Sequence, residues 1–234
     1  MNKDVFADDN SAAPAEMAQT AMARSHVYGL LATIFRAEPT EALLKELKDP
    51  RTAGVFSDLG ISLGEEFYGT PENELVEELA VEYARLFLGP GEHISPHESV
   101  HHEVDGGDWG LLWGQETVKV KQFMESAGLA YAADYKGIPD HISVELEFLQ
   151  KLTLGEGTAW AEEDIEGAVF GLKMEKMFIK KHLIKWVPMF CDKVIARANA
   201  PFYREMAEVT KGFVQFEQQK IDEYLSPDHQ THDN

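Results

Sequence analysis

The sequence predicts an all-α protein, and three observations carry that expectation. Apolar residues recur three and four apart over most of the 234-residue chain, the spacing that gives a helix one buried face. Proline and glycine punctuate these stretches where helices begin or end. No stretch alternates apolar and polar residues as a half-buried strand requires.

In chain order, residues 1–15 are small, polar and acidic and are expected to be disordered, with one helical domain over 16–225 and a disordered tail at 226–234. From Met17 to Phe35, the residues Tyr28, Leu31, Ile34 and Phe35 share a helical face. Pro39-Thr40 opens a short amphipathic helix carrying Leu43, Leu44 and Leu47. At Thr70-Pro71 a capping hydroxyl precedes a proline suited to a first turn. Leu75, Leu79, Tyr83 and Phe87 then keep one face apolar until Gly89-Pro90-Gly91.

Residues 89–114 are rich in Gly, His, Asp and Trp and follow neither period. They read as a long ordered loop with one short helical turn, and a loop of that length inside a compact domain usually carries function. Helical spacing resumes at Gln115–Ala127 with Val118, Phe123 and Met124, and Gly128 closes it. Asp140, after Pro139, is expected to cap a helix whose Ile142, Leu146, Leu149 and Leu152 share a face, with Gly155 as its stop. Ala168–Trp186 is helical, Pro188 begins a further segment to about Ala198, and Pro201 opens the last helix. Phe202, Met206, Val209, Phe213 and Phe216 form its apolar stripe.

Hydrophobic residues make up 44% of the chain, enough for a real core. The net charge is −20, from 21 basic and 41 acidic residues, which repels nucleic acid and anionic membranes and favours a cationic partner. Much of the excess is local: between Glu65 and Glu116 thirteen carboxylates accompany one cation, Arg85. A single cysteine, Cys191, rules out an internal disulfide. The N-terminal stretch MNKDVFADDNSAAPAEMAQ has neither an apolar core nor an Arg-Arg pair, and no apolar run approaches the ~20 residues needed to cross a bilayer. A cytoplasmic location is expected.

Few residues look like chemistry. His93, His97 and His101 are four apart, with His102 adjacent, and on one helix they would stack imidazoles able to bind zinc or nickel. Pro96 breaks that period, so local hydrogen bonding is the expected role, and a metal-handling protein built on this loop is the alternative reading. Cys191 lacks an activating base and reads as a core residue. Phosphate-binding loops are absent. Asp140, His141 and Glu145 at a helix start suit either general acid-base work or ordinary capping, and an enzyme centred on them is the weakest reading, since no nucleophile accompanies them. Near Trp109 and Trp113, aromatic residues beside carboxylates suit a peptide-holding surface.

Several segments, taken in order, resemble the TorD/DmsD family of molybdoenzyme maturation chaperones, a NarJ-like group, over about residues 20–220. They are Glu82-Tyr83-Ala84-Arg85-Leu86-Phe87, Pro96-His97-Glu98-Ser99-Val100 and Ile138-Pro139-Asp140-His141 running into Glu145-Leu146-Glu147-Phe148-Leu149. His182-Leu183, Trp186-Val187-Pro188 and the Phe202-Tyr203 helix complete the set. The resemblance implies a helical bundle without catalytic turnover. Its expected role is to bind the twin-arginine signal peptide of an apo-oxidoreductase catalytic subunit until that client receives its molybdopterin cofactor. It also implies no cofactor of the chaperone's own, apart from the weak guanine-nucleotide binding seen in some relatives. The family's peptide-binding positions correspond to Glu98, Ser99, Pro139, Asp140 and His141, with Glu145 one turn on. Val100-His101-His102 departs from the Tyr or Leu-Trp common in relatives after the Glu-Ser pair. Carboxylates at Glu98 and Asp140 suit charge-assisted bonds to guanidinium. Glu98→Lys or Asp140→Lys is therefore expected to weaken signal-peptide binding with helix content unchanged. Monomer and domain-swapped dimer are both compatible with the loop.

Overall fold

The computed structural model describes residues 14–89, 91–102, 110–129 and 137–226. Ten helices are labelled in order: α1 Pro14–Arg36, α2 Glu41–Lys48, α3 Pro50–Asp58, α4 Glu65–Gly69, α5 Glu72–Tyr83, α6 Gln115–Ser126, α7 Ile142–Ala161, α8 Ile165–Phe178, α9 Ile184–Arg197 and α10 Pro201–Tyr224. A π turn, Ala84–Leu88, extends α5, another, Ile179–Leu183, joins α8 to α9, and a 3₁₀ turn spans Glu98–His101. Among the described residues no strand forms; the one isolated β-bridge joins His97 to His141. The all-α expectation holds.

Helix α1 lies against α7 because small residues let the backbones approach. A Cβ at Gly157 would sit 3.3 Å from both the Ala18 carbonyl oxygen and Ala21 Cβ, and Ser25 Oγ donates to the Gln150 carbonyl at 3.0 Å. Short connections turn α7 into α8 and α9 into α10. The core between these layers is aromatic. Phe35 meets Phe190 at 5.6 Å, Tyr83 meets Phe87 at 5.0 Å, and the buried Tyr83 and Tyr203 hydroxyls donate to the carbonyls of Phe35 and Leu79. Such pairs add specific edge contacts to the burial itself.

Several expected boundaries move, each for a physical reason. Helix α5 starts after Pro71 with no side-chain cap, so Thr70 does not cap it. Helix α7 runs through Gly155 and Gly157 to Ala161, because the α1 contact and not a helix stop calls for glycine there. Pro188 lies inside α9, where it cannot bond the Ile184 carbonyl, and the π turn immediately upstream absorbs that irregularity. On α10 the buried face runs through Tyr203, Ala207, Thr210, Val214, Glu217 and Ile221, which leaves Phe216 exposed. The short α3 and α4 carry too few apolar residues for a periodic signal. Residues 1–13 and 227–234, where the termini were expected to be disordered, lie outside the described residues.

Cys191 is fully buried, and burial pushes its thiol far above the ordinary range, which fits the core role expected of it. The acids of α5 are a solvated face with one exception. Glu82 is buried, binds Arg85 through two bonds of 2.7 Å, and accepts the Asn199 amide at 2.6 Å, so it caps the otherwise uncapped start of α10.

Candidate functional site: a buried polar hub beneath an apolar lip

Two segments about forty residues apart in sequence are zipped together at the centre of the molecule. The Glu98 amide donates to the Asp140 carbonyl and the Ile142 amide to the Pro96 carbonyl, each at 2.9 Å, across the His97–His141 bridge. The Asp140 carboxylate accepts the Ser99 amide at 2.8 Å. Asp140 therefore ends a loop and does not cap α7, the role its sequence position suggested. The cap is His141, whose Nδ1 accepts the Ser143 amide at 3.2 Å and the Ser143 hydroxyl at 2.8 Å. Its ring packs edge-on against His97, with centroids 4.9 Å apart. Burial pushes His141 down to about 3, so the cap stays a neutral acceptor.

Glu98 points inward from this zipper and is wholly buried. His182 Nδ1 donates to it at 2.9 Å and His102 Nε2 at 3.1 Å. Burial alone would raise this carboxyl, but those two hydrogen bonds and the imidazole charges outweigh it and hold Glu98 below its usual range. One helical turn into α7, Glu145 accepts Trp186 Nε1 at 3.1 Å. Complete burial, with the nearby Glu98 charge adding to it, pushes Glu145 well above its usual range. His101 stacks on Trp186, donates Nε2 to the Ser95 carbonyl at 2.7 Å and accepts Lys193 through Nδ1 at 3.3 Å. Burial lowers it to about 4.

The surface above the hub is apolar. Leu111, Leu112 and Trp113 are exposed, Trp113 by 64%, and with His93, Ser95, Val100 and Gly110 the two leucines line a cleft of about 430 Å³. Gly110 is required where the loop returns, since its amide donates to the His102 carbonyl at 2.7 Å and an added Cβ would collide with the Ser99 carbonyl oxygen. Trp113 adopts φ +65°, a left-handed conformation unfavourable for a bulky side chain. Such strain tends to persist where the surroundings enforce it, at binding sites above all.

Of the residues expected to bind peptide, Glu98, Ser99, Pro139, Asp140 and Glu145 are buried, His141 is half-buried and Trp113 is exposed. Glu98 and Asp140, each 0% exposed, do not present carboxylates to solvent as a salt bridge to an incoming guanidinium requires. A lysine at either position would be a buried, unpaired charge, which conflicts with the expectation of unchanged helix content. Trp109 lies outside the described residues, together with Glu103, Asp105 and Asp108. Among the described residues, His93, His97, His101 and His102 do not converge as a set of metal donors; they hydrogen-bond locally or to Glu98. His182 and Trp186 complete the hub, and their only sequence signal was membership of the recurring motif string.

Comparison with known proteins places the chain in a family. The family model described as nitrate reductase delta subunit matches residues 38–192, which include every buried member of the hub. The chain is 25% identical over 216 residues to the chaperone protein TorD of Shewanella sp. (strain ANA-3), covering 87% of this chain and 96% of that protein. It is 28% identical over 141 residues to the chaperone protein TorD of Photobacterium profundum, covering 60% and 62%. Among solved structures, a candidate redox enzyme maturation protein from Archaeoglobus fulgidus superposes with a TM-score of 0.50 at 21% identity, covering 82% of this chain and 93% of that one; the likeness is one of fold.

Proposed function

The chain belongs to the nitrate reductase delta subunit family, and from that premise we propose that it is a dedicated maturation chaperone for a molybdenum-cofactor oxidoreductase. In this reading it acts in the cytoplasm, holds the apo catalytic subunit through its twin-arginine signal peptide, and releases it once the cofactor is in place. No helix among the described residues is long and apolar enough to cross a membrane, in keeping with that location. The relatives named as chaperones lend the coarse function; the client and its peptide are part of the proposal.

The observation that carries the peptide-binding part is an exposed apolar lip on a strongly acidic chain. Leu111 and Leu112 line an open cleft, with the exposed Trp113 next in sequence, where an apolar helix-forming stretch of peptide can be received. An arginine of the peptide meets the exposed carboxylate of Glu92, next in sequence to the cleft residue His93. The buried Glu98, Ser99, Pro139, Asp140 and Glu145, with the half-buried His141, serve as the frame that holds this lip in place. The negative field speeds encounter with a cationic peptide and is screened by salt.

Titration calorimetry with the twin-arginine signal peptide of a molybdopterin oxidoreductase encoded beside this chain tests the reading. Saturable binding is expected, weakened by salt and by replacing both arginines with alanine. Absence of binding, or equal binding of the two peptides, overturns it.

A further inference from the structure

Beneath the lip, three side chains from separate elements converge. Glu98 comes from the 3₁₀ turn, Glu116 from the first turn of α6 and His182 from the π turn between α8 and α9, and one donor atom of each lies within 4.8 Å of the others. The π turn helps make this possible, since its extra residue per turn re-aims side chains away from regular helical spacing. Glu98 and His182 are buried and Glu116 is half-buried, so the group opens towards solvent on the α6 side.

We infer that Glu98, Glu116 and His182 form a divalent-cation site, with Zn²⁺ the best-suited ion. Two carboxylates and one imidazole are a donor set that zinc accepts, and three protein ligands leave a position open for water or a fourth group.

A separate observation points the same way. The wholly buried Glu145, whose Oε2 accepts Trp186 Nε1, leaves its Oε1 without a hydrogen-bond partner among the described residues. An ion at Glu98 can take this unpartnered Glu145 Oε1 as a fourth ligand. The surroundings resemble the outer shell of a metal site. His102 donates to Glu98 Oε1 at 3.1 Å, and Lys119 holds Glu116 Oε1 at 2.6 Å. Contacts of this kind orient ligating carboxylates. The hydroxyls of Ser99 and Thr117, each next in sequence to a ligand, are also buried without a hydrogen-bond partner among the described residues. A bound ion ties the 3₁₀ turn, α6 and the α8–α9 junction together, which goes beyond peptide binding and does not depend on it.

Zinc alone is titrated into the full chain after chelation and dialysis, by calorimetry and by thermal melting, and Co²⁺ is used as an absorbing substitute. The wild type is expected to take up one equivalent, melt higher with metal, and give a visible Co²⁺ spectrum of a low-symmetry site. Glu116→Gln, at a half-buried position that the fold tolerates, is expected to weaken binding at least tenfold and remove the spectrum, as is His182→Gln if it folds. His93→Gln with His97→Gln is expected to bind as the wild type does. No binding by the wild type, full binding by Glu116→Gln, or loss of binding in the His93/His97 variant overturns the site. Signal-peptide titration of the metal-free wild type separates failure here from failure of the chaperone reading.

Discussion

The carboxylate of Asp140 accepts the backbone amide of Ser99 at 2.8 Å, joining two loop segments that hold no regular strand or helix pairing in common. That bond, with the flanking Glu98 amide on the Asp140 carbonyl, fixes where the loop leaves α5 and where α7 begins.

Asp140→Ala is expected to destabilise the fold by about 1.5–3 kcal/mol, the usual loss for a buried hydrogen bond to a charged acceptor. Asp140→Asn keeps an acceptor for Ser99 and removes a buried charge whose Oδ1 has no partner among the described residues, so it is expected to cost less. Urea denaturation of the two variants checks the order; an Asn variant as unstable as the Ala variant contradicts it.

Trp113 combines exposure with a positive φ, so binding and stability separate there. Trp113→Ala is expected to weaken signal-peptide affinity at least tenfold, about 1.4 kcal/mol, with little change in melting temperature. Trp113→Gly is expected to bind as weakly yet melt higher than the Ala variant, since glycine adopts this φ without strain. Calorimetry and thermal melts on the pair read both effects.

Arg24 is the buried cation of a second cluster. It binds Glu156 Oε2 at 2.7 Å, Glu217 Oε2 at 2.8 Å and Glu175, joining α1, α7, α8 and α10. One cation cannot neutralise three carboxylates. Burial therefore pushes Glu175 well up and Glu156 up, against the pull of Arg24. A raised carboxyl contributes stability below its unfolded pKa that is lost as pH rises through its folded value. Glu175→Gln, which mimics the protonated form, is accordingly expected to flatten the loss of melting temperature on the alkaline side. Arg24→Met leaves uncompensated charge and is expected to cost about 3–5 kcal/mol at neutral pH. A Gln variant with the wild-type pH profile sinks this assignment.

His101 and His141 act in the opposite direction. Burial holds them neutral down to about 4 and about 3, whereas the unfolded chain protonates near 6.5. Their contribution is complete above about pH 6.5 and is lost as pH falls towards those values. Each adds a slope of about 1.4 kcal/mol per pH unit within its window. His141→Asn retains a side-chain acceptor for the Ser143 amide and is expected to reduce the proton uptake on unfolding at pH 5 by about one. Unchanged proton uptake, measured from the pH dependence of urea unfolding, counts against it.

The helices that carry the core were legible because their signal is local. Leu75, Leu79 and Tyr83 repeat at helical spacing, and Ile142, Leu146 and Leu149 do so again, and all six are buried. The motif string also marked the right segments, since Pro96–Val100 and Ile138–His141 do meet. The boundaries were less legible where a residue's reason lies outside its own helix. Gly157 serves α1, Pro188 is absorbed by a π turn, and Asp140 bonds Ser99 in place of its own helix amides.

By itself, then, the sequence determined the all-α class, the order of the helices, the acidic character and the family pattern, because periodicity, charge and motif order are properties of the linear chain. Tertiary structure alone decided which side of each polar residue faces what. Only folding places Glu98 against His182, buries Glu98 and Asp140, and leaves Leu111, Leu112 and Trp113 exposed. The physical reason is that burial and partner identity arise from contacts between segments tens of residues apart, and no local spacing encodes them.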